Sequence, residues 1–220
     1  HFCDIYLEMI KLDYLDKNQI KNRFKVLNPE LANNFFSKGK SVIIMVSHYG
    51  GYEWCTTLDN YFDHQVAAIY TPLKDEEFEK LIFKSRERHG IKLIPRYNAL
   101  DEIRNLEKSG NKFMYGFVAD QSPQIRKINY WSNFLGVEVP VFTGAERMAK
   151  ELDIPVIFGK MSKISRGKYE MKLELITDKP NSHKDFEITE KYLRLVENQI
   201  HDDPNFYFWT HKRFKHRRIK

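Results

Sequence analysis

Two polar clusters in this chain each follow directly on an apolar run. Ser47-His48-Tyr49-Gly50-Gly51-Tyr52-Glu53 closes the run at 41–47, and Asp120-Gln121-Ser122-Pro123 closes the run at 112–119. His48 and Glu53 are the residues best suited to proton chemistry. Five positions apart on a regular helix, they would sit roughly 140° from one another and could not meet. They meet if His48 lies in a loop and Glu53 on the first turn of the following helix, with Gly50-Gly51 supplying a permissive backbone between them. A carboxylate on one imidazole nitrogen fixes the tautomer and leaves the other nitrogen free as a base. That is the orienting half of a Ser-His-Asp arrangement, without a protein nucleophile. The bland alternative is a strand-end histidine satisfied by local backbone, with Glu53 in a first helical turn where carboxylates are favoured anyway.

Arg86 lies in a helical stretch, 75–89, whose inner face is marked by Phe78, Leu81, Ile82 and Ser85. Placed four residues after Ile82, its guanidinium needs an anionic partner, because burying an unpaired charge is costly. An internal salt bridge and a ligand contact both answer that need. Asp120 is either that partner or the anchor of an Asx-type turn ahead of Pro123. Tyr130, Trp131, Phe134 and Phe142 line an acyl pocket or simply belong to the core. The sequence has no phosphate-binding glycine loop, no H-E-x-x-H, no zinc-spaced histidines and no G-x-S-x-G elbow. No metal or cofactor is therefore expected. Cys3 and Cys55 match no metal or redox spacing and read as unpaired thiols of a reducing compartment.

These groups are positioned by alternating elements. Residues 1–40 carry Ile5, Met9, Leu12 and Leu15 near helical spacing, up to the break at Asn28-Pro29. Strands are expected at 41–47, 66–70, 92–94, 112–119, 155–159 and 169–176, and helices at 75–89, 99–109, 144–152 and 188–201. This alternation predicts an α/β fold, a single-domain mixed sheet flanked by helices. Both polar clusters then fall at carboxyl ends of strands, where ligands gather in open α/β sheets. The expected division is a helical N-terminal part at 1–40, an α/β catalytic core at 41–205 and a basic tail at 206–220.

Of the 220 residues, 42% are hydrophobic and 14% aromatic, enough for a real core, so global disorder is excluded. The longest aliphatic run, 42–46, is far short of the roughly 18–20 residues of a membrane span. The net charge of +6 comes from 36 basic and 30 acidic residues. Six Lys or Arg and no acid lie in 211–220, so the other 210 residues are neutral. Such a tail reads as a ligand for nucleic acid, phospholipid head groups or substrate phosphate, or as a solvated end. No nucleic-acid motif accompanies it, and nucleic acid is not expected as a partner.

H-x4-[DE] after a buried strand resembles the signature of the glycerolipid and lysophospholipid acyltransferases. The wider pattern resembles their lipid A biosynthesis branch, through SHYGGYEW at 47–54, IYTPLKDEEFEKLI at 69–82, SRERHG at 85–90 and ADQSP at 119–123. FLGVEVPVFTGAERMAKELDIPVIFG at 134–159 and NFYFWTHKRFKHR at 205–217 follow in the same order. The resemblance implies a glycerolipid acyltransferase-like fold, His48 as catalytic base and Glu53 as its paired acid. It implies substrate or oxyanion contacts for Arg86, Asp120 and Gln121. Many members carry arginine where this chain has Thr71, which leaves Lys74 as a replacement for a phosphate contact. The implied donor is an acyl-acyl carrier protein thioester, and the implied acceptor is a lipid A precursor, another membrane glycolipid or a lysophospholipid. The implied location is the cytoplasmic face of the inner membrane, with an anchoring segment expected before residue 1. Lys212, Arg213, Lys215, Arg217 and Arg218 are expected to hold the anionic membrane surface or substrate phosphates, helped by the preceding aromatics.

Overall fold

The computed structural model describes residues 2–73 and 75–218. Three helices, α1 (Phe2–Leu12), α2 (Lys17–Lys21) and α3 (Glu30–Phe36), share the N-terminal part with a short strand, β1 (Phe24–Val26). The helix α2 is only five residues long, and a reciprocal capping box between Asp16 and Gln19 fixes its start. Next come β2 (Val42–Val46), a 3₁₀ helix at Tyr52–Asn60, β3 (Gln65–Tyr70), α4 (Glu76–Glu87), β4 (Lys92–Pro95), α5 (Ala99–Lys108) and β5 (Phe113–Val118). The chain continues through β6 (Trp131–Phe134), β7 (Val137–Pro140), α6 (Gly144–Leu152), β8 (Val156–Ser165), β9 (Lys168–Thr177) and α7 (Glu187–Asp202).

Seven strands form one sheet in the order β1-β9-β8-β2-β5-β3-β4. All neighbours are parallel except β8 and β9, which form an antiparallel pair. The sheet is thus mixed. Strand β2 is central, between β5 and β8, and all five of its residues are buried. Cover on both faces is what a continuous apolar run such as Val42-Ile43-Ile44-Met45-Val46 requires.

One expectation needs correction, and one stretch without an expected element gains one. Residues 1–40 are not all helical, because β1 pairs in parallel with β9 and Phe24 is wholly buried. Three residues are too few to show a period of two above the surrounding helical pattern. The aromatic stretch after Tyr130, to which the sequence reading assigns no element, is an antiparallel hairpin of β6 and β7. Phe134 from that hairpin is fully buried in the core, whereas Phe142 beyond it is only partly buried.

Candidate active site

Register brings the two polar clusters together. Val46 of β2 pairs with Val118 of β5, and His48 and Asp120 each stand two residues beyond that pair. The loops therefore leave the sheet side by side. Gly50, at φ +58°, turns the first loop, and a Cβ on Gly51 would lie 2.7 Å from the Trp54 and Tyr169 rings. Only glycine lets the backbone pass that close.

The His48 ring Nδ1 lies 2.7 Å from Asp120 Oδ1, and the His48 backbone N–H donates to the same oxygen at 3.2 Å. A carboxylate that is ionised cannot donate, so Nδ1 carries the proton and Nε2 is the free, basic nitrogen. Asp120 is 1% exposed, while His48 lines the adjoining cleft, with Tyr52 and Phe208 against its ring. Burial pulls the His48 pKa down, but the charge and hydrogen bond of Asp120 outweigh it, and the net shift is upward. For Asp120 burial acts to raise the pKa, and the attraction and hydrogen bonds of His48 win, holding it below the ordinary value. Each partner stabilises the charged form of the other.

The partners are thus exchanged relative to the sequence reading. Asp120, not Glu53, holds the imidazole. Glu53 is buried and accepts from Arg86 Nη2 at 3.1 and 3.3 Å, so Asp120 is not the partner of Arg86 either. Glu53 does sit in the first turn of a helix, but that helix is 3₁₀ and aims the side chain at α4. Its charge still reaches His48, raising its pKa, while Arg86 opposes it. The equal offset of His48 and Asp120 from the ends of their strands was the available signal for the true pairing.

A cleft of about 940 Å³ opens beside His48, Glu53, Arg86 and Gln121. Its floor is one face of the sheet, made by Ile44 and Val46 of β2, Ala68 of β3, and Gly116 and Val118 of β5. These positions alternate along each strand, as residues sharing a face must. At Gly116 a Cβ would find only ordinary contacts of 3.7–3.9 Å, so the missing side chain leaves room in the cleft rather than relieving a clash. Four exposed cations, Arg96, Arg126, Lys127 and Arg147, line the same cleft, and none enters an ion pair with a described residue. No sequence signal marked these four, which come from the turn after β4, a 3₁₀ helix at Ile125–Lys127 and α6.

A buried histidine–carboxylate pair at the edge of an apolar cleft fits acyl chemistry, and the family comparison agrees. The family model for bacterial lipid A biosynthesis acyltransferases matches residues 1–216. The chain belongs to that family. No curated protein sequence matches it. Among the described residues of this acyltransferase, no three His, Cys, Asp or Glu side chains cluster as metal ligands, and no helix is long and apolar enough to cross a membrane.

The C-terminal segment of the acyltransferase departs furthest from expectation. It is not a free tail but packs along the site. Gly50 N–H donates to the Phe206 carbonyl at 2.9 Å, Phe208 N–H donates to the His48 carbonyl at 3.0 Å, and Tyr207 is buried. Arg213, expected at a membrane or phosphate, is 2% exposed. Arg218 pairs with Glu138 and covers the Trp131 ring. Lys212, Lys215 and Arg217 remain exposed, and Lys74 lies outside the described residues.

Proposed function

We propose that this acyltransferase moves a fatty acyl chain from an acyl-acyl carrier protein to a hydroxyl of a lipid A precursor, with His48 as general base and Asp120 as its orienting partner. The observation that carries the reading is the 2.7 Å His48–Asp120 contact at the edge of the apolar cleft. His48 Nε2 removes the proton from the acceptor hydroxyl. The oxygen attacks the thioester carbonyl, the C–S bond breaks, and the thiolate of the carrier arm leaves with the proton returned by the imidazolium. General-base help of this kind contributes roughly 10²–10⁴-fold, and holding the thioester against the alcohol supplies much of the rest. Gln121 lines the same cleft, where an amide donor suits a developing oxyanion. Arg86 is engaged by Glu53 and shapes the wall from there.

The apolar floor suits an acyl chain, and the four cations at the cleft, which pair with no described residue, suit phosphate on the acceptor. That role passes to Arg96, Arg126, Lys127 and Arg147 from the tail residues to which the sequence assigned it. Exposed Leu7 and Ile10 of α1 and Tyr14 just beyond it, with Trp209 and the cations Lys212, Lys215 and Arg217, support contact with an anionic membrane surface at the inner membrane. The test is incubation of the purified protein with acyl-acyl carrier protein and lipid A precursor, read by mass spectrometry of the lipid. Addition of one acyl chain is expected, and is lost with His48→Ala. Acylation of phospholipid alone, with the precursor untouched, would refute the acceptor.

A further inference from the structure

Arg213 is among the most deeply buried large side chains of the protein, and its guanidinium is only partly satisfied. Nη1 donates to the Pro140 carbonyl at 3.0 Å and to Ser122 Oγ at 3.3 Å, and the group lies 5.2 Å from the Phe134 ring. Its Nε and Nη2 are buried with no hydrogen-bond partner among the described residues, and so is Asp120 Oδ2. Leaving such groups without partners in the interior is expensive, and a packing role alone would be met more cheaply by an apolar side chain. Ser122, two residues beyond Asp120, donates its hydroxyl to the Arg213 carbonyl at 2.6 Å, and its backbone N–H meets His211 Nε2 at 3.3 Å. The segment carrying Arg213 is the one that also holds the His48 loop at Gly50 and His48.

We propose that Arg213 is a positioning residue for the catalytic pair. Its segment ties the loop of His48 to the loop of Asp120, and its buried charge offsets that of the Asp120 carboxylate. The groups that face this pair are His48 and the loop of Asp120, Tyr192 of α7, Tyr207 and His211 of the C-terminal segment, and Glu53 with Arg86 beyond the histidine. Tyr192 and Tyr207 are held neutral, since burial and the charge of Asp120 both push their pKa values up. Burial pulls Arg213 down from its ordinary value, and with both tyrosines neutral the charge that acts against it is that of Asp120. An arginine nonetheless keeps its charge in proteins. Arg213 is thus the cation of the C-terminal segment whose charge acts on Asp120. With its charge gone, the full field of Asp120 falls on the imidazole, and the protonated, inactive form of His48 persists to higher pH.

The experiment compares Arg213→Gln, Arg213→Met, Arg213→Lys and Ser122→Ala in the full chain, by kcat/KM for acyl transfer against pH and by thermal melting. In Arg213→Gln the acid limb should move up by about half a pH unit, a modest charge effect at effective protein dielectric. Its kcat should fall about tenfold, with KM changed less. The glutamine keeps a donor for the Pro140 carbonyl, so its result decides the matter even where the methionine variant does not fold. Arg213→Lys should restore the limb. Ser122→Ala should lower kcat without moving it. An unmoved limb in Arg213→Gln, or an equal shift in Arg213→Lys, would overturn the proposal whatever happens to the melting temperature. The inference rests on His48 being the general base, which Asp120→Asn tests separately. If the limb moves in Asp120→Asn but not in Arg213→Gln, only the role of Arg213 is lost.

Discussion

Asp120→Asn removes the charge behind His48 while keeping the shape. The asparagine oxygen can still accept both the Nδ1 proton and the His48 backbone N–H that Asp120 Oδ1 accepts at 2.7 and 3.2 Å. What disappears is the anion facing the imidazolium formed as the acceptor gives up its proton. With charge centres about 4 Å apart and an effective dielectric near 20, that attraction is about 4 kcal/mol. Lost wholly from the transition state, it corresponds to roughly 10³-fold in kcat. The assay is acyl transfer from acyl-acyl carrier protein at saturating acceptor, followed across pH. The unmodified protein should show an acid limb above 6.5, since the His48 pKa is raised from that value. In Asp120→Asn the limb should move down, because burial is then the main influence left on the imidazole. Stability follows the same linkage. The contribution of Asp120 is present above its ordinary 3.8 and lost as pH falls through its lowered folded pKa, and that of His48 is present below 6.5 and lost as pH rises through its raised one. Near-normal turnover in Asp120→Asn, with a thousandfold loss in Glu53→Gln instead, would refute the assignment.

Replacing Glu53 or Arg86 breaks a largely buried ion pair, and each single change should cost roughly 1–3 kcal/mol of stability, with the double variant Glu53→Gln/Arg86→Gln clearly less than additive in chemical denaturation. Gly116→Leu should fill the cleft floor and turn the enzyme against its longest donors, each excluded methylene costing about 1–3 kcal/mol, as read by competition between acyl chains of different length. A wild-type chain-length profile in that variant would place the acyl chain elsewhere. Arg126→Gln/Lys127→Gln should raise KM about tenfold for a phosphorylated acceptor and much less for a dephosphorylated one, two charge-assisted contacts being lost. A rise in the KM of the carrier-protein donor instead would assign those cations to the donor.

The central strands were legible because their chemistry is local. Val42–Val46 is apolar at every position and proves buried at every position, and the runs that became β3 and β5 end within a residue or two of the expected limits. The strand β1 was not, since its pairing with β9 spans most of the chain and its three residues lie within a helical pattern. At the site, the residue types were readable and the pairing was not. His48 and Glu53 are five apart, so spacing favoured them, whereas His48 and Asp120 are 72 apart and are joined only by the register of β2 on β5. Arg213 was hidden by its neighbours. A run of six basic residues reads as solvated, and nothing local distinguishes the one that turns inward.

The segment running from Phe206 to Arg213 also bears on how the protein is made. It reaches its place against loops translated some 160 and 90 residues earlier, around His48 and Ser122. Folding during synthesis proceeds from the N-terminal side. The sheet positions of β2 and β5 can therefore be taken up while the far end of the site is still being translated. Until Phe208 and Arg213 emerge, the His48 carbonyl lacks the N–H that donates to it and the Asp120 loop lacks its latch. A nascent chain at that stage would carry the acyl cleft without a fixed base, unable to discharge thioesters. The catalytic geometry is thus complete only once this segment has emerged, and nonsense truncation before residue 213 should yield a protein that is inactive yet retains much of its sheet.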